Sequence, residues 1–264
     1  MTSRVGEWTE LPDGVLTSLS SVYATRSVAL PVDDGSCVLV DPAVTPDEVR
    51  RLLAGLRARA LRVVAVLHTH AHWDHLLWPH QSAPQAPRWA SEQCIEEAMR
   101  NEAALHAQAA RDIGTDGASA LLGSIDCIQP LPGDGTVPDL PDLAVITHDA
   151  HCPGHIAVLH QPSATLCAGD MLSDIELPLA YAEGASEWDV DGYLAGLDAM
   201  DPFIRRARVV VPGHGHPGPD VFARADADRC YLAAVRQGDE SSDRRLVDPA
   251  NRAVDAELRV HLSG

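Results

Sequence analysis

The segment Thr69-His70-Ala71-His72-Trp73-Asp74-His75 places four side chains able to ligate a metal within six positions, directly after the apolar run Val63-Val64-Ala65-Val66-Leu67. In extended backbone, alternation puts His70 and His72 on one side, and a turn beginning at Asp74 sends Asp74 and His75 toward a neighbouring point. One short loop can thereby feed two metal ions. Three later fragments set a ligand type beside glycine where a strand is expected to end: His151-Cys152-Pro153-Gly154-His155, Ala168-Gly169-Asp170 and Pro212-Gly213-His214-Gly215-His216. Glycine there permits the sharp turn that aims a side chain back into a cleft. Imidazole and carboxylate without thiolate suit zinc and also accept manganese or iron. Two such ions roughly 3.5–4 Å apart bring a shared water to a pKa of about 7, which makes a hydroxide nucleophile at neutral pH. Attack of that hydroxide on an electrophilic carbonyl is the expected chemistry.

These residues need elements to position them. Short strands are expected at Val15–Leu19, Tyr23–Leu30 and Ser36–Val40, separated by turn formers such as Asp33-Asp34-Gly35. Thr45-Pro46-Asp47-Glu48 combines an N-cap threonine, proline at the first helical position and a glutamate placed to close a capping box, so a helix should run to about Arg59. The 63–67 run is too short for a helix and fits a strand buried on both faces. From Ser91 to Arg111, Ile95, Ala98, Met99, Leu105 and Ala109 recur at helical spacing, which predicts one longer helix. Gln129 to Pro141 reads as a loop. Strands are expected at Leu143–Thr147, Ile156–Leu159, Thr165–Ala168 and Arg208–Val211, and helices at Asp189–Met200 and Pro219–Gln237. The chain reads as one domain over 1–264, with a helical insertion at 91–112 and a polar tail after Gly238 whose structure is left open.

In order and together, the four motifs resemble the metallo-β-lactamase superfamily over nearly the whole body of the chain. The resemblance implies an α/β fold, a four-layer α/β/β/α sandwich with metals at one edge of two sheets. It assigns His70, His72 and His155 to the first ion and Asp74, His75 and His214 to the second, with Asp170 as the bridging carboxylate. Two divalent ions, zinc foremost, would then be the cofactor, and Asp74 could also orient the nucleophile as a catalytic residue. Asp41, closing the third strand, matches an acidic residue that supports the site without ligating. His151 reads as a partner for a ligand, and His216 as either a pocket residue or a solvated loop histidine. His68 and His148 read as structural. Trp73 and Trp78 are either a pocket wall or simple packing.

Composition narrows the chemistry. All 20 basic residues are Arg, so a Schiff-base lysine or a Walker phosphate loop is excluded. A net charge of -18 weighs against a polynucleotide or an anionic membrane surface as partner and leaves a small-molecule substrate. No apolar stretch of membrane-spanning or signal-peptide length is seen, and six cysteines lie scattered without a C-x-x-C pair, which together read as a soluble, cytoplasmic protein. Within the resemblance, Asp170 stands where β-lactam-degrading enzymes carry Cys or Ser, His72 where flavin-linked diiron reductases carry Glu, and Ser173 where acyl-homoserine lactonases carry Tyr. The absence of lysine argues against the grip glyoxalase II has on glutathione. What remains is hydrolysis of an ester, thioester or lactone. Phosphodiester hydrolysis on a nucleotide or RNA, an iron-dependent sulfur dioxygenase, and a metal-stabilised binding module without chemistry are the alternatives. The 91–112 segment is a lid, a homodimer surface, or packing on the sandwich.

Overall fold

Two sheets lie face to face in the structure, a computed structural model that describes residues 5–33, 35–42, 44–78, 86–122, 125–179 and 189–262. The first sheet runs in sequence order through β1 (Thr9–Glu10), β2 (Leu16–Leu19), β3 (Arg26–Asp33), β4 (Ser36–Val40), β5 (Arg62–Leu67), β6 (Arg88–Ala90) and β7 (Ile128–Pro130). It is antiparallel up to β4 and parallel from β4 to β7. The second sheet has the order β11-β10-β9-β8, from β8 (Leu143–His148), β9 (His155–His160), β10 (Thr165–Cys167) and β11 (Val209–Val211). Of the expected turn at 33–35, Asp34 lies outside the described residues.

Three apolar clusters make the layers. Alternation along each strand sends one set of side chains inward and the other outward. Val28, Leu30, Val38 and Leu67 meet Val145, Ile156, Val158 and Val211 between the sheets. The outward set of the first sheet, including Leu39 and Val66, packs on α1 (Pro46–Ala58) and on α2 (Glu92–Arg100), α3 (Glu102–Ile113) and α4 (Thr115–Leu121). That of the second sheet, including Leu159 and Leu166, packs on α5 (Val190–Ile204), α6 (Val221–Gln237) and α7 (Pro249–Leu262). The result is the expected four-layer α/β/β/α sandwich.

One expectation changes, and one point left open is filled in. The stretch 91–112 is not one helix. Asn101, a poor helix former, turns its side chain back to Glu97 Oε1 at 2.6 Å and separates α2 from α3, and Gly114 at φ 77° separates α3 from α4. The polar tail after Gly238 is ordered: a 3₁₀ turn at Arg244–Val247 leads into α7, whose Leu258 is fully buried. Its polarity misleads because buried Arg245 and Asn251 bond main-chain carbonyls of the 173–176 loop. β1, β6 and β7 were not foreseen, each having only two or three residues.

The capping box forms as expected and also reaches toward the cleft. Thr45 Oγ1 accepts from Glu48 N at 3.2 Å and Glu48 Oε2 from Thr45 N at 3.1 Å. The same buried carboxylate accepts from Ser20 Oγ at 2.8 Å and from Ser21 N at 2.8 Å. The start of α1 thus pins the β2–β3 loop, which carries Tyr23 and Thr25 to the edge of the sandwich.

Candidate metal centre

The loop after β5 is closed on itself by His68. Its Nδ1 donates to His75 O at 2.6 Å and its Nε2 accepts from Arg88 Nε at 3.0 Å, while Arg88 Nη2 donates to Leu76 O. His68 is fully buried, and burial holds its imidazole well below the ordinary range, so it works as a neutral brace. The other ligand-type residues arrive on turns at the same edge. Gly169 takes φ 54° ahead of Asp170, and a Cβ at Gly213 would overlap Asp170 Oδ1. Gly213 N also donates to Gly169 O at 2.6 Å, so only a glycine lets these two turns touch.

Two groups of ligand atoms form, each with all its atoms within 4.8 Å of one another: His70, His72, His151 and Asp170, and Asp74, His75 and His214. Asp170 lies between them, Oδ2 at 3.3 Å from His70 Nε2 and 3.1 Å from His214 Nε2, Oδ1 at 3.2 Å from His75 Nε2. Six of the seven residues proposed from the sequence therefore come together: His70, His72, Asp74, His75, Asp170 and His214.

His155 does not join them. Its Nε2 accepts from Asp170 N at 3.2 Å, and its ring lies between His70 and His148, with centroids 5.0 and 4.7 Å away. His151 stands in the place the sequence reading gave to His155, with Nε2 3.2 Å from His72 Nδ1 and 3.6 Å from Asp170 Oδ2. His155 opens β9, and His151 sits on the preceding turn, which Gly154 N closes onto Asp149 Oδ1 at 2.8 Å, so it is His151 that groups with His70, His72 and Asp170.

Hydrogen bonds set the tautomers. Thr69 Oγ1 donates to Asp41 Oδ2 and so accepts from His70 Nδ1 at 2.9 Å. His75 Nδ1 donates to Asp41 Oδ2 at 2.9 Å, His151 Nδ1 to Leu179 O at 3.1 Å, and His214 Nδ1 to Tyr23 O at 2.9 Å. Each anchored imidazole turns its Nε2 toward the centre. His72 offers Nδ1, 3.0 Å from His70 Nε2, and its Nε2 is buried without a hydrogen-bond partner among the described residues. Asp41, foreseen as a supporting residue, thus holds His75 directly and His70 through Thr69. Thr25 Oγ1 donates to Asp74 Oδ2 at 3.0 Å.

So many nitrogen lone pairs and two buried carboxylates facing one another require a positive charge. Without a cation, protons supply it. Burial opposes charge on His214, but Asp170, Glu176 and Asp74 push it up to about 10, and Asp170, Asp74 and Asp41 likewise raise His75. Burial would raise Asp170 as well, yet His214, His75 and His70 hold it well below the usual carboxylate range. A donor set of imidazole nitrogen and carboxylate oxygen with hydrogen-bonded outer partners fits divalent metal ions.

The groups open into a cleft of about 340 Å³ also lined by Trp73, Leu179, Glu176, Tyr23 and residues of α3. Burial pushes the Glu176 carboxyl up to about 7. Trp73 is a wall residue and Trp78 is core packing. His216 turns away to Asp174 at 3.0 Å and does not line the cleft. Ser173, where lactonases carry tyrosine, donates to His214 O at 2.7 Å and caps the 175–176 amides. Glu176 and the Tyr23–Thr25 loop carry no signal for the site in the sequence, because neither stands beside a ligand there, whereas α3 belongs to the 91–112 segment for which a lid is one of the expectations.

Residues 23–83 match the family model described as the metallo-beta-lactamase superfamily. Among solved structures, a beta-lactamase domain protein from Burkholderia ambifaria is similar at 19% identity and TM-score 0.67, over 99% of this chain and 89% of that one. DIM-1 metallo-beta-lactamase exposed to ceftazidime is similar at 14% identity and TM-score 0.61, over 86% and 97%. A double mutant of the sec-alkyl sulfatase PisA1 is similar at 18% identity and TM-score 0.64, over 88% of this chain and 42% of that one. No curated protein matches the chain.

Proposed function

We propose that this protein belongs to the metallo-β-lactamase superfamily and is a hydrolase carrying two divalent metal ions, zinc foremost, and acting on an ester, thioester or lactone of a small molecule. The observation that carries the reading is the convergence of five imidazoles and two carboxylates whose remaining ring nitrogens are already engaged or buried. His70, His72, His151 and Asp170 would hold one ion, and Asp74, His75 and His214, with Asp170 shared, the other. A pair of divalent ions supplies Lewis-acid polarisation of a carbonyl and a water acidic enough to attack at neutral pH. Asp74 keeps Oδ2 fixed by Thr25, so its carboxylate can accept a proton or orient a nucleophile from one direction. Glu176, whose carboxyl burial pushes up to about 7 in the metal-free protein, lines the same cleft. A cleft of about 340 Å³ suits a small substrate, and the net charge of -18 disfavours a polynucleotide.

No helix among the described residues is long and apolar enough to cross a membrane, and all six cysteines are unpaired, which suits a reducing compartment such as the cytoplasm. The test joins metal analysis of the purified protein to a panel of carboxylic esters, thioesters, lactones, phosphodiesters and sulfate esters. The sulfate ester is included because one structural relative is described as an alkyl sulfatase. Zinc at close to two per chain and acyl-bond activity that disappears on chelation and in His72→Ala are expected. Activity that survives both treatments removes the metal from the mechanism.

A further inference from the structure

We propose that Arg111, on the insertion helix α3, selects acyl substrates that carry a carboxylate on the side away from the scissile bond. This rests on the acyl-hydrolase reading above and adds the substrate class.

Besides the cluster of ligands, the cleft is lined by Tyr23 and by Gln108, Arg111 and Asp112 of α3. Among the described lining residues the charged side chains other than histidines are Asp74, Asp112, Asp170, Glu176 and Arg111, so Arg111 is the single permanent cation. Three of the four carboxylates are already engaged. Asp74 and Asp170 lie within 3.5 Å of ligand imidazoles, and Asp112 Oδ2 accepts from Tyr23 Oη at 2.8 Å. Arg111 is exposed, and none of the hydrogen bonds or ion pairs formed among the described residues involves it. The neighbouring Tyr23–Asp112 bond ties the end of α3 to the β2–β3 loop, so the guanidinium is held at the rim instead of on a free segment. Tyr23 is itself fixed, because its carbonyl accepts from His214 Nδ1.

A guanidinium fork with open donors, lining the same cleft as a centre that would act on an acyl group, matches the two oxygens of a carboxylate. Attraction to a rim cation acts over about the 8 Å Debye length at physiological salt, so the overall charge of -18 keeps polyanions away without cancelling this local contact. Neither the capping network nor the apolar core uses Arg111, and a residue needed only for packing would not be left exposed at the cleft mouth.

The experiment uses the zinc-loaded full chain, with 4-nitrophenyl hemisuccinate and 4-nitrophenyl butyrate as substrates of similar length. The preference ratio, kcat/KM for the hemisuccinate over that for the butyrate, is expected to fall about 10- to 100-fold in Arg111→Gln. It should recover in part in Arg111→Lys, which keeps the charge and loses the fork. Raising salt should lower the wild-type ratio and leave that of Arg111→Gln flat. A ratio that Arg111→Gln leaves unchanged overturns the proposal. In parallel, calorimetry with glutarate and with butyrate should show glutarate losing about tenfold in affinity relative to butyrate in Arg111→Gln. If wild type hydrolyses neither ester, the acyl-hydrolase reading falls. The glutarate–butyrate comparison then still decides Arg111, and equal effects on the two acids overturn its role.

Discussion

Asp41 is where a single atom change should reach both ligand groups at once. Its Oδ1 accepts from Thr69 N at 2.8 Å, and its Oδ2 from Thr69 Oγ1 at 2.6 Å and His75 Nδ1 at 2.9 Å. The residue is 2% exposed, so water cannot replace a lost acceptor. Asp41→Asn keeps the volume and substitutes an NH₂ for one oxygen. Placed at Oδ1, it opposes the Thr69 amide; placed at Oδ2, it opposes both the Thr69 hydroxyl and the His75 N–H. Either way two buried donors face each other, which costs about 1–3 kcal/mol of stability in the metal-free protein. The His75 tautomer and the Thr69 hydroxyl that accepts from His70 are then no longer fixed. Losing such an outer partner typically lowers metal affinity about 10- to 100-fold, or about 1.4–2.8 kcal/mol. Zinc affinity by competition with a chelating dye, and urea denaturation of the metal-free protein, read the two effects separately. Wild-type zinc affinity in a folded Asp41→Asn protein would refute the argument that this carboxylate orients the ligands.

His151→Ala should lower bound metal by about one ion per chain with the fold retained, whereas His155→Ala should mainly cost stability, about 1–3 kcal/mol, by stranding the buried Asp170 N–H. The reverse ranking of metal content would restore His155 as the ligand. The pH dependence follows from His214, raised to about 10, and His75, also raised, in the metal-free protein. Burial works against both charges and the neighbouring carboxylates outweigh it. Protonation of a group whose folded pKa is raised stabilises the fold fully below the unfolded value of about 6.5 and ceases to do so as pH rises through the folded one. In the loaded protein these nitrogens carry no proton, so the Tm gap between loaded and metal-free forms should widen from pH 7 to pH 9; a constant gap contradicts this. Arg245→Met breaks Nη1 bonds to Ser173 O, Glu176 O and Asp228 Oδ1 at 3.0, 2.8 and 2.7 Å. It should lose about 3–5 kcal/mol in urea unfolding, since a buried carboxylate is left without its cation.

The legible parts of this molecule are those whose signal is local. The capping box at Thr45 and Glu48 needs only four residues to specify it, and the β4 run Ser36–Val40 only five. The metal loop is legible because strand alternation and one turn suffice to bring His70, His72, Asp74 and His75 to one edge. His151 and His155 show where local signal ends. Both flank the same Pro-Gly pair, and the choice between them depends on where β9 begins and on a carbonyl at Leu179, 28 residues away. The tail was opaque for a related reason. Arg245 and Asn251 look like surface residues until the loop they bond, at 173–176, is folded beneath them. The same holds for Glu48, whose capping role is local and whose hold on Ser20 and Ser21 is not.

The distribution of ligands over the two sheets makes metal binding and folding one process at this edge. His70, His72, Asp74 and His75 come from the loop after β5 in the first sheet; His151, Asp170 and His214 come from turns before β9 and after β10 and β11 in the second. Each proposed ion therefore takes ligands from both. The direct main-chain links between the sheets here are few, such as Ile156 N to Thr69 O at 2.8 Å and Arg26 N to Gly213 O at 2.7 Å. The apolar layer between the sheets holds them together further in, but at the rim the remaining attraction is ionic and concentrated in Asp74 and Asp170 against the imidazoles. A cation placed among these groups binds the folded arrangement and not the unfolded chain, so its binding energy counts toward closure of the rim. The anchoring Nδ1 bonds ensure that what is closed is a set of ligands already turned inward, so the protein has little left to reorganise when the ions arrive.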